Sequence, residues 1–324
     1  MATVLGDSNF TDAEAKQMAE KLKNAMDGFG TNEDEIIEVL VTHNNAQRQK
    51  IAATYAQAYG KPLKDDLIAE LTGDLEECIV ALILPPRDLD AQMIHDAIQG
   101  AGTNETMLIG VLCSRSNKEI LEIKAAYKRM YDADLNDDIQ GDTSGYFARM
   151  MYSVVTGARQ ESKADEHLAY EEAQKLIEAG VQSLGTDECA FNAVLGVSSF
   201  DHLRLVFKKY QELREGNTIE DDIKSEMSGT LQEGYLAIVG IAQDKQQFFA
   251  DWLYNTTTGV WGTKDSELIG IIVSRSEEDL KEIKKKFAKK YGTPLEDTVR
   301  NECSGYYKRT LLSLIEGRYV SKSS

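Results

Sequence analysis

Apolar residues recur at helical spacing along the whole chain. The segments AEAKQMAEKLKNAM, EDEIIEVLVTH and AQRQKIAATYAQAYG each place apolar residues three or four positions apart, as on one face of an α-helix. Gly60 ends the third segment, as glycine commonly does at a helix C-terminus, and Pro85 and Pro86 stop the apolar run DLEECIVALIL. No segment shows sustained alternation of apolar and polar residues, so the pattern predicts an all-α fold.

One sequence unit recurs four times. Gly-Thr followed by acidic, amide or basic residues appears as GTNE, GTNE, GTDE and GTKD, beginning at Gly30, Gly102, Gly185 and Gly262. An acidic stretch that ends in glycine follows each copy and begins at Asp65, Asp137, Asp221 and Glu296. The Gly-Thr pairs are 72, 83 and 77 residues apart. The chain is therefore predicted to contain four repeats of about five helices each.

The longer middle spacing coincides with a polar stretch, GARQESKADEHL, that begins at Gly157. We interpret this stretch as a linker and expect the repeats to form a pair of pairs. The predicted boundaries are an N-terminal tail 1–12, repeats 13–84 and 85–156, a linker 157–167, repeats 168–243 and 244–318, and a C-terminal tail 319–324.

Charge and composition exclude several classes of protein. The net charge of −18 disfavours nucleic acid, and also adhesion to an acidic membrane unless a cation supplies positive charge. The four cysteines form no CxxC pair, which indicates a reducing compartment without zinc sites or disulfides. No signal peptide or run of about 18 apolar residues is present, so a cytoplasmic location is expected. The four histidines match no metal or nucleophile motif, so the chain is not expected to be an enzyme.

The glycine turn before each Gly-Thr pair suggests a cation site. In MDGFG the glycines let several backbone carbonyls point to one place. Thr31 is predicted to cap the following helix in a capping box with Asp34, which would occupy the helix donors. Converging carbonyl oxygens suit a hard cation such as Ca²⁺, provided that a carboxylate lies nearby.

An acidic residue follows the last glycine of every turn at a nearly constant distance. The distances are 40, 40, 41 and 40 residues, to Glu70, Asp142, Glu226 and Glu302. A single such acid would most simply lie on a solvated helix face. Four acids in register with four glycine turns favour calcium ligands instead.

These residues together resemble the annexin family, whose calcium-binding signature is a glycine turn, Gly-Thr and an acid about 40 residues later. The match extends from about residue 13 to residue 318. The resemblance implies an all-α, curved disc of four repeats with its calcium loops on the convex face. It also implies reversible, calcium-dependent binding to membranes that contain anionic phospholipids such as phosphatidylserine, peripherally and when calcium rises. It leaves open whether the molecules self-assemble on the membrane.

Carried over residue by residue, the family pattern assigns three backbone carbonyls and one acidic side chain to each site. Repeat 1 contributes Met26, Gly28, Gly30 and Glu70, and repeat 2 contributes Ile98, Gly100, Gly102 and Asp142. The turns of repeats 3 and 4 are one residue longer, so the matching positions are Gly180, Ser183, Gly185 and Glu226, then Thr257, Val260, Gly262 and Glu302. The fourth turn departs most from the pattern, because β-branched Thr257 and Val260 resist positive φ.

The residue before the last glycine of each turn is large and apolar in three repeats: Phe29, Leu184 and Trp261. These side chains either fold back onto their own helices or enter the membrane at the headgroup level, where tryptophan is favoured. Arg115 and Arg275, in matching SRS segments, are interpreted as structural contacts at helix ends. The alternative function is a helical repeat scaffold that binds proteins without calcium.

Overall fold

The computed structural model describes residues 1–28, 30–100, 102–182, 185–258 and 263–321. Within these residues it contains nineteen α-helices and no β-strand. The first ten are α1 Asp12–Met26, α2 Glu33–Thr42, α3 Asn45–Tyr59, α4 Leu63–Glu70, α5 Gly73–Ile83, α6 Pro86–Ile98, α7 Glu105–Cys113, α8 Asn117–Tyr131, α9 Leu135–Asp142 and α10 Gly145–Val155. The others are α11 Glu166–Ala179, α12 Glu188–Leu195, α13 Phe200–Leu213, α14 Ile219–Glu226, α15 Gly229–Thr257, α16 Asp265–Ser276, α17 Leu280–Tyr291, α18 Leu295–Glu302 and α19 Gly305–Glu316.

The helices fall into four repeats of five. Helix α15 is interrupted by a kink at Asp244 (φ −158°, ψ 88°), which divides it into the fifth helix of repeat 3 and the first helix of repeat 4. This kink lies where the sequence separates repeat 3 from repeat 4. The prediction of an all-α chain with about five helices per repeat is confirmed. Within the described residues, no helix is both long and apolar enough to span a lipid bilayer.

Two kinds of helix form each repeat. The C-terminal half of helix α5 is buried on every side, because its residues from Cys78 to Ile83 are all apolar. Helix α17 is amphipathic, with Leu280, Ile283 and Phe287 buried at helical spacing and lysines between them. Truncation of one such core side chain to alanine generally costs about 2–5 kcal/mol.

A tyrosine on the third helix is hydrogen-bonded to an aspartate on the fourth helix in three of the repeats. The pairs are Tyr55 with Asp66, Tyr127 with Asp138 and Tyr210 with Asp222. In repeat 4 the same positions hold Phe287 and Thr298. Because both partners are replaced together, neither a tyrosine hydroxyl nor a carboxylate is left without its hydrogen-bond partner at these two positions.

The chain divides into two compact units of two repeats each, but these units are not the consecutive halves of the chain that we expected. One unit comprises Met1–Leu89 with Phe249–Ser324, and the other comprises Asp90–Phe248. The first contains repeats 1 and 4, with α16 against α5 and α19 against α2 and α5. The second contains repeats 2 and 3, with α10 against α12. The polar linker is therefore a poor guide to pairing, because the buried faces of the second and fifth helices decide which repeats pack together.

The N-terminal tail is fastened to the first unit. The backbone amides of Thr3 and Val4 both donate to the carbonyl of Ser276, at 2.8 and 3.0 Å, and Val4 is buried. Gly317, at φ +71°, lies so close to Thr3 that an added Cβ would clash with its carbonyl. The tail thus connects the start of repeat 1 with helices of repeat 4.

Candidate metal centres

A backbone hydrogen bond closes each glycine turn at the same place in all four repeats. The residue before the second helix donates its amide to a carbonyl near the end of the first helix, at 2.7–2.9 Å. The donor and acceptor pairs are Asn32 and Ala25, Asn104 and Ala97, Asp187 and Ala179, and Lys264 and Thr256. Seven positions separate the pair in repeats 1 and 2, and eight in repeats 3 and 4. The turns of repeats 3 and 4 are therefore one residue longer.

The predicted ligand carbonyls are in register with this closing bond. The residue after each acceptor is the first predicted ligand of its repeat, namely Met26, Ile98, Gly180 and Thr257. Five of the predicted glycines adopt positive φ, at +105° for Gly28, +88° for Gly30, +100° for Gly100, +109° for Gly102 and +94° for Gly185.

The backbone conformation at these five positions requires glycine, whereas crowding by neighbouring atoms does not. A Cβ built on any of them would meet no heavy atom within 4 Å. An L-residue is nevertheless strained at such φ values. The turns are therefore held in a backbone shape that glycine adopts readily, with their surroundings open.

Each predicted acid is the last residue of the fourth helix of its repeat. Glu70 ends α4, Asp142 ends α9, Glu226 ends α14 and Glu302 ends α18. The C-terminal end of a helix carries partial negative charge, so a carboxylate there is unfavourable unless a cation lies nearby. Glu70, Glu226 and Glu302 are exposed and Asp142 is half-buried. All four acids are thus accessible to a cation.

In repeats 1 and 2 the threonine of the Gly-Thr pair binds the predicted carboxylate. The Thr31 hydroxyl donates to Glu70 Oε2 at 2.7 Å, and the Thr103 hydroxyl donates to Asp142 Oδ2 at 2.5 Å. This bond joins the glycine turn to an acid 39 residues further along the chain. The second oxygen of each carboxylate has no hydrogen bond to the described residues, so it is available to a metal ion.

The predicted capping role of Thr31 is wrong. Helix α2 begins at Glu33, and its N-cap is Asn32, whose side chain accepts from the amide of Glu35 at 3.3 Å. Asp34 does not complete a capping box but accepts hydrogen bonds from Arg309 and Tyr319. An asparagine next to the threonine could take the cap because both residue types are good N-caps. The threonine hydroxyl is thereby left for Glu70.

Repeat 3 keeps the turn but not the threonine contact to the carboxylate. The Thr186 hydroxyl lies 3.4 Å from the main-chain carbonyl of Glu226, and one carboxylate oxygen of Glu226 accepts from Ser225 instead. Gly180 has a negative φ of −98°. This site is less preorganised than those of repeats 1 and 2.

Repeat 4 departs furthest from the pattern. Its N-cap position holds Lys264, which has no acceptor atom and makes no side-chain cap, and the lysine ammonium lies 3.3 Å from a carboxylate oxygen of buried Glu267. Within the described residues, Thr263 makes no hydrogen bond with Glu302. Burial raises the pKa of the neighbouring Asp265, although the Tyr307 hydroxyl donates to it. A lysine beside the turn opposes cation binding there.

Six predicted site residues lie outside the described residues: Phe29, Ser183, Leu184, Val260, Trp261 and Gly262. Their roles stay predictions.

The donors of repeats 1 and 2 suit a hard cation. Each site offers backbone carbonyls and one carboxylate, which are all oxygen ligands, as Ca²⁺ prefers. Within the described part of the chain, no cluster of three or more His, Cys, Asp or Glu side chains could hold a metal ion. A zinc site of the usual histidine and cysteine type is therefore not formed by these residues.

The two arginines of the SRS segments are structural. Arg115 makes a bidentate contact with Asp90, at 3.0 and 2.6 Å, and both side chains are buried. Arg275 is buried and pairs with Asp279 at 2.6 Å and with Glu278 at 2.8 Å. Both arginines thus pair with acidic side chains, as their interpretation as structural contacts expects.

Comparison with known proteins agrees with this organisation. The family model described as Annexin matches residues 17–82, 89–154, 171–238 and 248–314. Annexin A8 of Mus musculus is 43% identical over 299 residues, covering 92% of this chain and 91% of that protein. Annexin A13 of Homo sapiens is 43% identical over 298 residues, covering 92% and 94%. The chain spans only 46% of annexin A6 of Gallus gallus and 63% of annexin A7 of Homo sapiens.

Solved structures share the fold. The structure named annexin III has a TM-score of 0.94 at 40% identity, covering 98% of this chain and 97% of that one. A calcium-bound annexin (Sm)1 has a TM-score of 0.86 at 28% identity, covering 99% and 94%. The fourfold pattern of glycine turns and acids in this chain is thus accompanied by a matching arrangement of helices.

Proposed function

The chain belongs to the annexin family, and we propose that it binds anionic phospholipid membranes reversibly and only when calcium is present. Annexins act in general as calcium-dependent membrane binders and not as enzymes. The observation that carries the proposal is the bond from each Gly-Thr threonine to a carboxylate about 40 residues away in repeats 1 and 2. In both repeats this hydrogen bond holds an acidic side chain beside a glycine turn.

The proposed ligands are the predicted ones. Repeat 1 would hold calcium through the carbonyls of Met26, Gly28 and Gly30 and through Glu70. Repeat 2 would use the carbonyls of Ile98, Gly100 and Gly102 together with Asp142. The threonine hydroxyl fixes one carboxylate oxygen and leaves the other for the metal. The fixed glycine φ values reduce the ordering that calcium must impose.

Lipid would complete these sites. Three carbonyls and one carboxylate supply about five oxygens of the roughly six to eight that Ca²⁺ takes, which leaves room for a lipid phosphoryl oxygen. One formal negative charge per site predicts an affinity on the order of 10⁻⁴ to 10⁻³ M without lipid. By thermodynamic linkage, calcium and lipid must tighten each other's binding by the same factor.

Bound calcium also reconciles membrane adhesion with the net charge of −18. Four filled sites would add about +8 close to the lipid while the rest of the chain stays acidic. Adhesion should therefore disappear when calcium is chelated. We propose a cytoplasmic protein that becomes peripheral on phosphatidylserine-like membranes as calcium rises.

Trp261, together with Phe29 and Leu184, is proposed to contact the lipid headgroup region. The support is the apolar residue at this place in three of the four turns and the preference of tryptophan for the membrane interface. The Trp261→Ala variant should weaken calcium-dependent vesicle binding without changing the urea midpoint. Unchanged binding would favour the alternative in which these side chains fold back onto their own helices.

Cosedimentation with phosphatidylserine vesicles across a calcium titration tests the proposal, with a final chelator step. Wild type should sediment with the vesicles and be released by chelator. The double variant Glu70→Gln, Asp142→Asn should require at least about tenfold more calcium, since each site loses its only charged ligand.

A matched control removes the same charge elsewhere. Asp65→Asn with Asp137→Asn changes two exposed acids in the first turns of α4 and α9. This control should keep the calcium midpoint of wild type. If wild type stays in solution at millimolar calcium, the proposal is wrong and a protein-binding scaffold becomes the better account.

A further inference from the structure

A basic pocket lies in repeat 4, between α18, α19 and the C-terminal segment. It has a volume of about 410 Å³ and its wall includes Arg300, Tyr306, Lys308, Arg309, Leu312 and Val320. This size lies in the range of about 300–1,000 Å³ that is usual for small-molecule sites. Among the described residues, no acidic side chain forms part of the wall. Three cationic side chains therefore line one pocket in a chain of net charge −18.

Repeat 4 alone has a positive residue at all three of these positions. Counted from the predicted calcium acid and the glycine that starts the fifth helix, the positions of Arg300, Lys308 and Arg309 hold other residues elsewhere. These residues are Ile68, Glu76 and Glu77 in repeat 1, Gln140, Ala148 and Arg149 in repeat 2, and Lys224, Gln232 and Glu233 in repeat 3. The formal charge of the three positions is −2, +1, 0 and +3 along the chain. The common helical architecture does not require the cations.

Arg309 is held in place with one donor unused. Its side chain is buried, its Nε donates to the Val320 carbonyl at 3.3 Å, and its Nη2 donates to Asp34 and to the Tyr319 hydroxyl. Its Nη1 is buried and has no hydrogen-bond partner among the described residues. An unsatisfied buried donor on a charged group is costly. A ligand whose binding uncovered Nη1 and placed an acceptor there would remove that cost, and the other two nitrogens already orient the guanidinium.

Lys308 supplies the uncommitted charge of the pocket. It is half-exposed and, within the described residues, forms no ion pair. Arg300 is partly neutralised, because its guanidinium contacts Asp297 at 2.8 Å and Glu316 at 3.0 Å. Arg309 is likewise partly neutralised by Asp34, so Lys308 is the strongest anion-binding group of the pocket.

The start of α19 adds main-chain donors to the same wall. Gly305 and Tyr306 line the pocket and form the first turn of this twelve-residue helix. The N-cap residue, Ser304, makes no side-chain hydrogen bond to the helix. The first amides of a helix and its dipole favour an anion at this end. Side-chain and main-chain donors thus point to the same kind of ligand.

We propose that the basic pocket binds a phosphate monoester. Such a group carries a charge near −2 and three acceptor oxygens, which match Lys308, Arg309 Nη1 and the amides of α19. The ring of Tyr306 and the apolar Leu312 and Val320 would contact the organic group that carries the phosphate. This binding requires no calcium and none of the glycine turns. The monoester could belong to a phosphorylated lipid headgroup or to a soluble sugar phosphate.

Isothermal titration of the full chain with inositol 4-phosphate, in the presence of EGTA, tests the pocket. Wild type should bind, and Lys308→Gln should weaken binding by about tenfold, as expected for the loss of a charge-assisted hydrogen bond. Arg309→Lys should also weaken binding, because it keeps the charge but loses the guanidinium fork. Lys285→Gln makes the same charge change at an exposed position of α17 and should alter binding less than about twofold.

A second arm identifies the source of the phosphate. Phosphatidylcholine vesicles containing phosphatidylinositol 4-phosphate are sedimented with each variant, again in EGTA. Binding that Lys308→Gln abolishes assigns the lipid headgroup, whereas binding of inositol 4-phosphate alone assigns a soluble phosphate. The proposal is overturned if wild type binds neither probe, or if Lys308→Gln and Lys285→Gln weaken binding equally. EGTA removes any contribution of the calcium turns, so this failure would leave the proposed function untouched.

Discussion

The threonine that holds each calcium carboxylate offers a sharp test of the proposed site. Thr31→Val with Thr103→Val removes the two hydroxyls that donate to Glu70 and Asp142, at 2.7 and 2.5 Å, while keeping side-chain shape. Hydrogen bonds to charged groups contribute about 1.5–3 kcal/mol. The free carboxylate would then have to be ordered by calcium itself, and the rotamer freedom of a glutamate is worth up to about 2 kcal/mol.

The same substitutions also have a smaller effect that favours calcium binding. Loss of the hydroxyl makes the carboxylate a stronger ligand, but water replaces the donor because Glu70 is exposed and Asp142 only half-buried. The loss of carboxylate orientation should therefore outweigh the gain in ligand strength. Residues that orient metal ligands typically contribute about 10- to 100-fold in affinity. We expect the double variant to need about tenfold more calcium for half-maximal vesicle binding.

Repeat 3 provides a matched control for this experiment. Among the described residues, the Thr186 hydroxyl contacts the main-chain carbonyl of Glu226, at 3.4 Å, and not its carboxylate, so Thr186→Val should shift the calcium midpoint less than about twofold. Urea unfolding without calcium should show that every variant is folded before vesicles are added. The reasoning is refuted if Thr31→Val with Thr103→Val leaves the midpoint unchanged, or if Thr186→Val shifts it as much.

Three further predictions concern the backbone, the core and the thiols. Gly102→Ala, at φ +109°, should lower the free energy of unfolding in urea by about 1 kcal/mol or more. Gly141→Ala, at a helical position where an added Cβ also meets open space, should be neutral or stabilising. Equal effects of the two substitutions would contradict the conformational argument. Arg115→Met removes the bidentate partner of buried Asp90 and should lower the free energy of unfolding by about 3–5 kcal/mol; a loss below about 1 kcal/mol would show that the pair matters little. Cys189 is the exposed thiol among the four, and burial raises the pKa of the other three, so a thiol reagent at mildly alkaline pH should label it first and the others only after urea is added; fast native labelling of all four would contradict the described burial.

The sequence predicted the helices and the repeat because both are periodic. The apolar spacing in EDEIIEVLVTH is enough for helix α2, and the acid 40 residues after Gly30 recurs in register. The pairing of repeats could not be read in this way. It depends on contacts such as those of Asp34 with Arg309 and Tyr319, which lie 275 and 285 residues apart along the chain and carry no local signature.

The threonine contacts were missed although their signal was present. The sequence predicts Thr31 as the helix cap because threonine is a common N-cap, but Asn32 is an equally good one and takes that place. The recurrence of threonine after glycine in all four turns, next to varying N-cap residues, could have indicated a second role. The basic pocket gave no such pattern, since it occurs in one repeat and includes the C-terminal segment.

The most direct test of the account is a crystal structure of the protein grown with calcium. In repeat 1 the account predicts an ion bound by the carbonyls of Met26, Gly28 and Gly30 and by Glu70, with Thr31 still donating to the other carboxylate oxygen. Repeat 2 should show the same arrangement with Asp142. Turns that stay without metal at millimolar calcium, or ions bound away from these carboxylates, would contradict it.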